Sequence, residues 1–312
     1  MENNVHTKNI LITGGSGFLG FHVIKELKTK GYSNIIAPRS SEYDLRDNND
    51  LEKLFSTYSI DIIIHLAAVV GGIGANQHNP GSFFYDNAIM GIQILEMARR
   101  YSIQKTVIVG TVCSYPKFAS VPFNESDLWD GYPEETNAPY GLAKKMLLVQ
   151  AQAYRDQYDS NMIYLLPVNL YGPRDNFDPV SSHVIPALIK KFVEAKDSNI
   201  PEVDVWGTGK ATRDFIYVAD AAEGIVTAME KYNKPNPINL GSGMEISIAE
   251  LANLIKDKVD SKAKIKFDIS KPDGQPRRSL DTSMAEKEFG FKAKTDFNEG
   301  IAQTVDWYLN NK

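Results

Sequence analysis

Tyr140 and Lys144 stand four residues apart in Tyr140-Gly141-Leu142-Ala143-Lys144. On a helix that spacing puts both side chains on one face. An ammonium beside a phenol favours the phenolate, so this tyrosine could pass a proton near neutral pH. Pro139 just before it fits the first turn of a helix. Alone, the pair means little, since a tyrosine and a lysine at this spacing arise by chance in many long chains. Two other stretches give it weight: a glycine-rich loop near the start of the chain, and Gly110-Thr111-Val112-Cys113-Ser114-Tyr115-Pro116 upstream.

The glycine-rich loop sits in the right context. Ile10-Leu11-Ile12-Thr13 reads as a short apolar strand, and it runs directly into Gly14-Gly15-Ser16-Gly17-Phe18-Leu19-Gly20. A helix with Val23, Ile24 and Leu27 on one face follows. Glycines at positions 14, 17 and 20 let the backbone turn tightly and approach a pyrophosphate, while the helix start supplies N–H donors and positive potential. Strand, loop and helix together point to dinucleotide binding. The second strand, Asn34-Ile35-Ile36-Ala37, ends in Pro38-Arg39-Ser40-Ser41. A carboxylate there would hold the ribose diol of NAD, whereas a basic residue accommodates a 2′-phosphate. Arg39, flanked by two hydroxyls and no acid, favours NADP and leaves NAD open.

The remaining elements must position these groups. Asp61-Ile62-Ile63-Ile64-His65-Leu66-Ala67-Ala68 reads as a buried strand in which His65 is structural. A helix over about 80–101, a strand at 105–110, a helix at about 139–158 bearing Tyr140 and a strand at 162–166 follow. This alternation predicts an α/β fold with a doubly wound parallel sheet of the Rossmann type and ligands at the carboxyl ends of its strands. After Tyr171-Gly172-Pro173 the pattern changes to a polar loop and a helix. Phe215-Ile216-Tyr217-Val218 and the helix after Asp220 read as a return to the first domain, with 237–241 as its last strand. Helices near 247–259 and 298–310 and a Pro/Gly/Arg-rich link at 271–278 complete the chain. The predicted division is a dinucleotide-binding domain over 1–172 and about 214–242, and a smaller C-terminal α/β substrate domain over about 173–213 and 243–312.

Composition excludes several other classes. The 312 residues are 43% hydrophobic and 23% charged, which suits an ordinary globular core in two domains or one large one. A formal net charge of −5 without a basic block argues against a nucleic-acid surface, though not against one local anion pocket. Cys113 is the single cysteine, which rules out an internal disulfide or a multi-cysteine zinc site. No metal site is expected, since the five histidines contain no His-x-x-x-His pair. The start of the chain is polar and no apolar run reaches about 18 residues, so the expectation is a cytoplasmic protein with no export signal and no membrane span. Gly207-Thr208-Gly209-Lys210 resembles an ATPase phosphate loop, but Asp204 replaces its first glycine and Ala211 its Ser/Thr.

The nucleotide loop, the hydroxyl of Thr111 and the Tyr140/Lys144 pair together resemble the extended short-chain dehydrogenase/reductase superfamily over nearly the whole chain. That resemblance implies that Thr111 binds the substrate oxygen, Tyr140 gives or takes the proton, and Lys144 holds the nicotinamide ribose and lowers the tyrosine. It also places the cofactor against the loop residues, Leu66, Ala67, Ala68, Pro167, Asn169, Leu170 and His183. Finer stretches are similar to the GDP-L-fucose synthase family, whose members epimerise and reduce a GDP-4-keto-6-deoxy sugar with NADP. These are Val70-Gly71-Gly72-Ile73, Cys113-Ser114-Tyr115-Pro116-Lys117, Pro167-Val168-Asn169-Leu170-Tyr171-Gly172-Pro173, Asp175-Asn176-Phe177 through Ala187, and Val205-Trp206-Gly207 through Phe215. By this resemblance Cys113 and His183 carry the epimerisations, and Lys191, Trp206 and Arg213 hold the nucleotide diphosphate; Arg278 is a further candidate for that task, and Asn169 for substrate binding. Two departures keep NAD open: many fucose synthases carry a basic residue inside the phosphate loop, and an arginine pair where only Arg39 stands here. A sugar-nucleotide epimerase or reductase acting on another GDP-sugar, such as a heptose, is the alternative. The superfamily also implies a homodimer through the helices near 80–101 and 139–158, where Ile89, Ile92, Met146 and Leu147 supply apolar surface. The stretch 118–136 has no assignment beyond proximity to the substrate.

Overall fold

The computed structural model describes residues 5–312; residues 1–4, part of the polar start of the chain, lie outside the described residues. In chain order the strands are β1 (Ile10–Thr13), β2 (Ile35–Ile36), β3 (Ile62–His65), β4 (Lys105–Val109), β5 (Met162–Pro167), β6 (Asn169–Tyr171), β7 (Glu202–Trp206), β8 (Thr212–Tyr217), β9 (Ile238–Leu240), β10 (Glu245–Ser247), β11 (Lys264–Asp268) and β12 (Arg277–Arg278). The helices are α1 (Phe18–Thr29), α2 (Asn48–Thr57), α3 (Ile73–His78), α4 (Pro80–Arg100), α5 (Ala138–Tyr158), α6 (Val184–Asp197), α7 (Val218–Lys231), α8 (Ile248–Val259), α9 (Ser283–Phe289) and α10 (Phe297–Asn311).

Six parallel strands form the main sheet in the order β2-β1-β3-β4-β5-β9. Ile10, Leu11, Ile12, Ile63 and Ile64 are wholly buried, because helices cover both faces of the sheet and leave no side for polar residues. The chain steps outward from β1 to β2 and then returns to lay β3 on the other side of β1. A crevice opens outside the carboxyl ends of β1 and β3 at that reversal. A second sheet carries β10, β8 and β12, with β6 also paired to β8, and β7 pairs with β11.

The stretch expected to return to the first domain as a strand does something else. β8 lies in the second sheet, between two apolar cores. Its side chains alternate across the pleat, so Ile216 joins the core of the main sheet while Phe215 and Tyr217 join the other. β6 repeats the pattern, with Leu170 against the first core and Tyr171 inside the second. Helix α7, starting at Val218, does pack back on α1.

The segment 118–136 holds a short 3₁₀ turn at Glu125–Trp129, closed by a capping box between Asn124 and Asp127. It is fastened at several points along its length, including the Lys117 N–H to the Tyr132 carbonyl at 2.9 Å. Phe123 pairs with the backbone at 279–281, Glu125 accepts the Asn239 N–H at 2.9 Å, and the Lys145 ammonium donates to the Leu128 carbonyl.

Candidate active site

The glycine-rich loop owes its shape to close approaches. Gly14 adopts φ +72°, and a Cβ there would lie 2.8 Å from the Ala67 nitrogen. Gly20 faces the Gly14 carbonyl so closely that any side chain would overlap it. Loop, helix start and the end of β3 are thereby drawn together. Gly17 caps α1 without a side-chain bond, and the first turn carries no acid. Ser16 and Gly17 are exposed, and Phe18 and Leu19 half-buried, so the N–H groups of the first turn face an open crevice. Beyond His65 the buried β3 gives way to half-buried Leu66, Ala67 and Ala68 on the same crevice. Pro167 ends β5, and Asn169 and Leu170 begin β6, all on the carboxyl side of the sheet. Arg39 stands exposed just after β2 with its backbone N–H held by Glu42 at 2.7 Å.

His65 is structural, as its apolar strand implies. Thr13 Oγ1 accepts the Ala67 N–H at 3.3 Å and is hydrogen-bonded to His65 Nδ1 at 2.8 Å. Burial first, then the Lys144 charge, holds the imidazole well below its ordinary range, so it is neutral.

Helix α5 brings the tyrosine and lysine in. Before it, Glu134 accepts from Thr136 Oγ1 at 2.5 Å and Asn137 Nδ2 at 2.8 Å, and Pro139 takes the first turn. Gly141 is the contact point. A Cβ there would overlap the Cys113 carbonyl oxygen, and Ser114 Oγ donates to the Gly141 carbonyl at 3.0 Å. This backbone-to-backbone contact sets Tyr140 beside Thr111 and Cys113. The Thr111 hydroxyl bonds the Tyr140 oxygen, and Thr111 Oγ1 also accepts the Cys113 N–H at 3.2 Å. Gly141→Ala is therefore expected to cost about 1–3 kcal/mol as an overpacked contact. Turnover should fall further than stability, because Tyr140 loses its partner. Thermal unfolding and turnover measured side by side check this, and wild-type values for both would contradict it.

Lys144 is buried, 2% exposed, and no carboxylate pairs with it among the described residues. Burial alone lowers its ammonium to about 8. The Tyr164 hydroxyl fixes this turn of α5 by donating to the Lys144 carbonyl at 2.8 Å. Against the expectation that Lys144 lowers the phenol, Tyr140 is pushed up. Burial dominates, the neighbouring Cys113 adds to it, and the Thr111 hydrogen bond only partly offsets them. Tyr140 thus stands as a neutral phenol.

His183 caps the start of α6. Its segment is docked by the loop after β3: Gly72 N–H donates to the Ser181 carbonyl at 3.1 Å, and a Cβ on Gly72 would lie 2.6 Å from the Ser182 carbonyl. His183 is open to solvent. Desolvation, then the Arg278 charge, lowers it, and solvent access moderates both effects.

The residues expected to hold a diphosphate are each differently engaged. Lys191 donates to the Asp204 carbonyl at 2.7 Å. Trp206 is 46% exposed, beneath the Lys271 ammonium and near Gly74. Arg213 spends its donors on the carbonyls of Thr212, Gln275 and Asp273 at 2.7, 2.6 and 3.0 Å, which pins the 273–275 segment to β8. Arg278 reaches Cys113 instead, with Nη1 3.6 Å from Sγ. Gln275 went unnoticed in the sequence; it joins Arg278 to the Lys117 carbonyl, and a glutamine in a Pro/Gly-rich link carries no signal of that. Tyr164 and Glu134 were also missed, since their roles are contacts across the fold. Concavity is no guide either: a cavity of about 640 Å³ around Tyr171, Tyr217 and Asp220 contains none of the catalytic candidates. Among the described residues, no group of three or more His, Cys, Asp or Glu side chains gathers as a metal site.

A buried tyrosine–lysine pair beside a glycine-rich crevice at the reversal of a parallel sheet defines an extended short-chain dehydrogenase/reductase. Residues 10–241 match the NAD dependent epimerase/dehydratase family, and the chain belongs to that family. It is 40% identical over 304 residues to the GDP-L-fucose synthase of Sinorhizobium fredii (strain NBRC 101917 / NGR234), covering 97% of this chain and 96% of the relative. A GDP-L-fucose synthetase from Naegleria fowleri, solved bound to NADP, matches with a TM-score of 0.90 at 32% identity over 98% of this chain and 94% of that one. A GDP-6-OMe-4-keto-L-xylo-heptose reductase from C. jejuni matches with a TM-score of 0.94 at 27% identity over 98% and 99%.

Proposed function

We propose that this protein is an NADP-dependent enzyme that epimerises C3 and C5 of a GDP-4-keto-6-deoxy sugar and then reduces its 4-keto group, as in GDP-L-fucose synthesis. The observation that carries the reading is the convergence of Tyr140, Thr111 and Cys113, with the Arg278 guanidinium 3.6 Å from the sulfur. NADP supplies the hydride. The glycine-rich loop and the first turn of α1 would hold its pyrophosphate, Arg39 its 2′-phosphate and Lys144 its nicotinamide ribose. The surfaces over 1–172 with about 214–242 serve the cofactor, and those over about 173–213 with 243–312 serve the GDP-sugar.

The chemistry follows from the geometry. A proton alpha to a ketone is acidic when the enolate oxygen is stabilised. The Cys113 sulfur takes it, the electron pair moves to the ketone oxygen, and the Tyr140 and Thr111 hydroxyls bond that oxygen. His183 returns a proton to the opposite face, and the configuration inverts. In the last step Tyr140 protonates the 4-oxygen as hydride reaches C4. The test is loss of the reduced nicotinamide's near-ultraviolet absorbance on mixing the protein, NADPH and GDP-4-keto-6-deoxymannose, with the product's configuration read by NMR. No oxidation would refute the reading; 4-reduction without inversion, or turnover of a GDP-heptose alone, would favour the alternative GDP-sugar reductase.

Cofactor choice rests on Arg39. Arg39→Ala is expected to raise the KM for NADPH by roughly tenfold, the scale of one exposed charge-assisted contact, and leave that for NADH nearly unchanged. Equal loss with both cofactors, or a wild-type preference for NADH, would turn the reading to NAD.

The protein is further proposed to be a cytoplasmic homodimer paired through α4 and α5. Leu147 does not contribute, since it is buried within the chain against Gly91. Phe84, Tyr85, Ile92 and Val149 do present exposed apolar surface on these helices, beside half-buried Ile89 and Met146. A four-helix interface of this kind is self-complementary about a two-fold axis. Light scattering at micromolar concentration should give twice the monomer mass of 34.8 kDa. Among the described residues no helix is long and apolar enough to cross a membrane.

A further inference from the structure

Arg277 and Arg278 are adjacent on β12 and point to opposite sides, as a strand requires. Arg277 is exposed and pairs with Glu245 at 2.7 Å. Arg278 is 7% exposed and has no carboxylate partner among the described residues. Its Nε donates to Gln275 Oε1 at 3.2 Å, and its Nη1 lies 3.6 Å from Cys113 Sγ. Gln275 is itself locked, donating to the Lys117 carbonyl at 2.8 Å and lying 3.4 Å from the Pro116 carbonyl. The guanidinium is therefore held from both ends of the Cys113-Ser114-Tyr115-Pro116-Lys117 stretch. A buried cation without a counter-charge is costly, so a partner anion at that place is strongly favoured.

We infer that Arg278 is a positioning residue for Cys113, setting a positive charge against the sulfur and aiming it for proton abstraction, rather than a ligand of the substrate diphosphate. This rests on the proposed epimerisation. Proton abstraction breaks the C–H bond, forms S–H and leaves the electron pair on the enolate oxygen. Arg278 favours the charged sulfur before that step. The other groups facing Cys113 are Tyr140, which is a neutral phenol, and Arg213, whose charge adds to that of Arg278. His183 feels Arg278 with the opposite consequence, so the same guanidinium that favours a thiolate disfavours an imidazolium.

Cys113 is the only thiol, so its alkylation by iodoacetamide reports on this sulfur alone. In the full chain, without substrate, the pH profile of alkylation should move upward in Arg278→Gln, slowing the reaction at neutral pH by roughly tenfold or more, the scale of losing one adjacent opposite charge. Arg278→Lys should restore part of it. With NADPH and ketosugar, Arg278→Gln should lower solvent deuterium exchange at C3 and C5 by a similar factor through kcat, leaving the KM for the GDP-sugar within a few-fold. An unchanged alkylation profile, or a raised KM with exchange per turnover intact, would return Arg278 to the diphosphate and overturn the inference. Near-ultraviolet circular dichroism identifies misfolded variants, and Arg278→Lys then carries the test. Should the wild type turn over no GDP-4-keto sugar, the proposed function fails while the alkylation profile still decides the Arg278–Cys113 relation.

Discussion

Tyr140→Phe will reduce 4-keto reduction by roughly 10²–10⁴-fold, the usual cost of removing a general acid. The phenol is buried, bonded to Thr111 and held neutral, so it is charged with its proton before hydride transfer begins. Phenylalanine keeps the ring and its packing, so NADPH affinity should stay within a few-fold by fluorescence titration. Wild-type turnover in the variant would end the assignment. The wild-type pH profile bears on the same site. Lys144 is protonated below about 8 and loses its charge above it, so a rate that needs the ammonium falls as pH rises through that value. Stability runs the other way. The unfolded lysine titrates near about 10.4, so between about 8 and about 10.4 the unfolded chain binds more protons and the folded state gains stability with pH. Lys144→Met should abolish both slopes attributable to this group.

Cys113→Ser will separate epimerisation from reduction. Serine keeps the size but replaces a thiol of ordinary pKa about 8.5 with a hydroxyl that scarcely ionises. In D2O the variant should lose deuterium incorporation at C3 and C5 by at least about 10²-fold, the scale of losing a general base, while still binding NADPH and ketosugar. Residual product should be the 4-reduced sugar with uninverted carbons. His183→Asn should retain exchange, since Cys113 still removes protons, but invert poorly. Incorporation at both carbons at the wild-type rate in Cys113→Ser would make the cysteine structural and the protein a plain reductase or 4-epimerase.

The main sheet could be anticipated from the chain because its strands are covered on both faces and therefore read as unbroken apolar runs, as at Ile10–Thr13 and Ile62–His65. The glycine loop announced itself because close backbone approach admits no other residue. Helices α4, α5, α8 and α10 fell within a residue of their expected limits. Harder to foresee were the short strands, β10 and β12 above all, which two or three residues with no apolar pattern cannot signal. The fate of β8 depended on which core each face would meet, and alternation is silent on that. At the site, residue types nominated Tyr140, Lys144 and Thr111, and the family resemblance added Cys113 and His183. What lay hidden was pairwise: the Tyr164 hydroxyl on the Lys144 carbonyl, Gln275 between Arg278 and Lys117, and the Arg278 guanidinium at the sulfur. Hydrogen bonds across 20 to 165 positions of chain leave no trace in local spacing. The upward push on Tyr140 was likewise hidden, since burial sets it and burial is a property of the folded whole.

The alternating faces of β6 and β8 make the two cores tenants of a common wall. Remove the segment after Gly172 and Tyr171 loses the rings of Phe215, Tyr217 and Phe297 around it. Keep only the later segment, and Ile216 is left facing water on the side where the main sheet stood. The boundary between the two cores is therefore no seam along which the molecule could be cut or recombined piecewise. A graft that exchanges one sugar specificity for another has to leave both faces of this wall intact and confine itself to the loops that project from it.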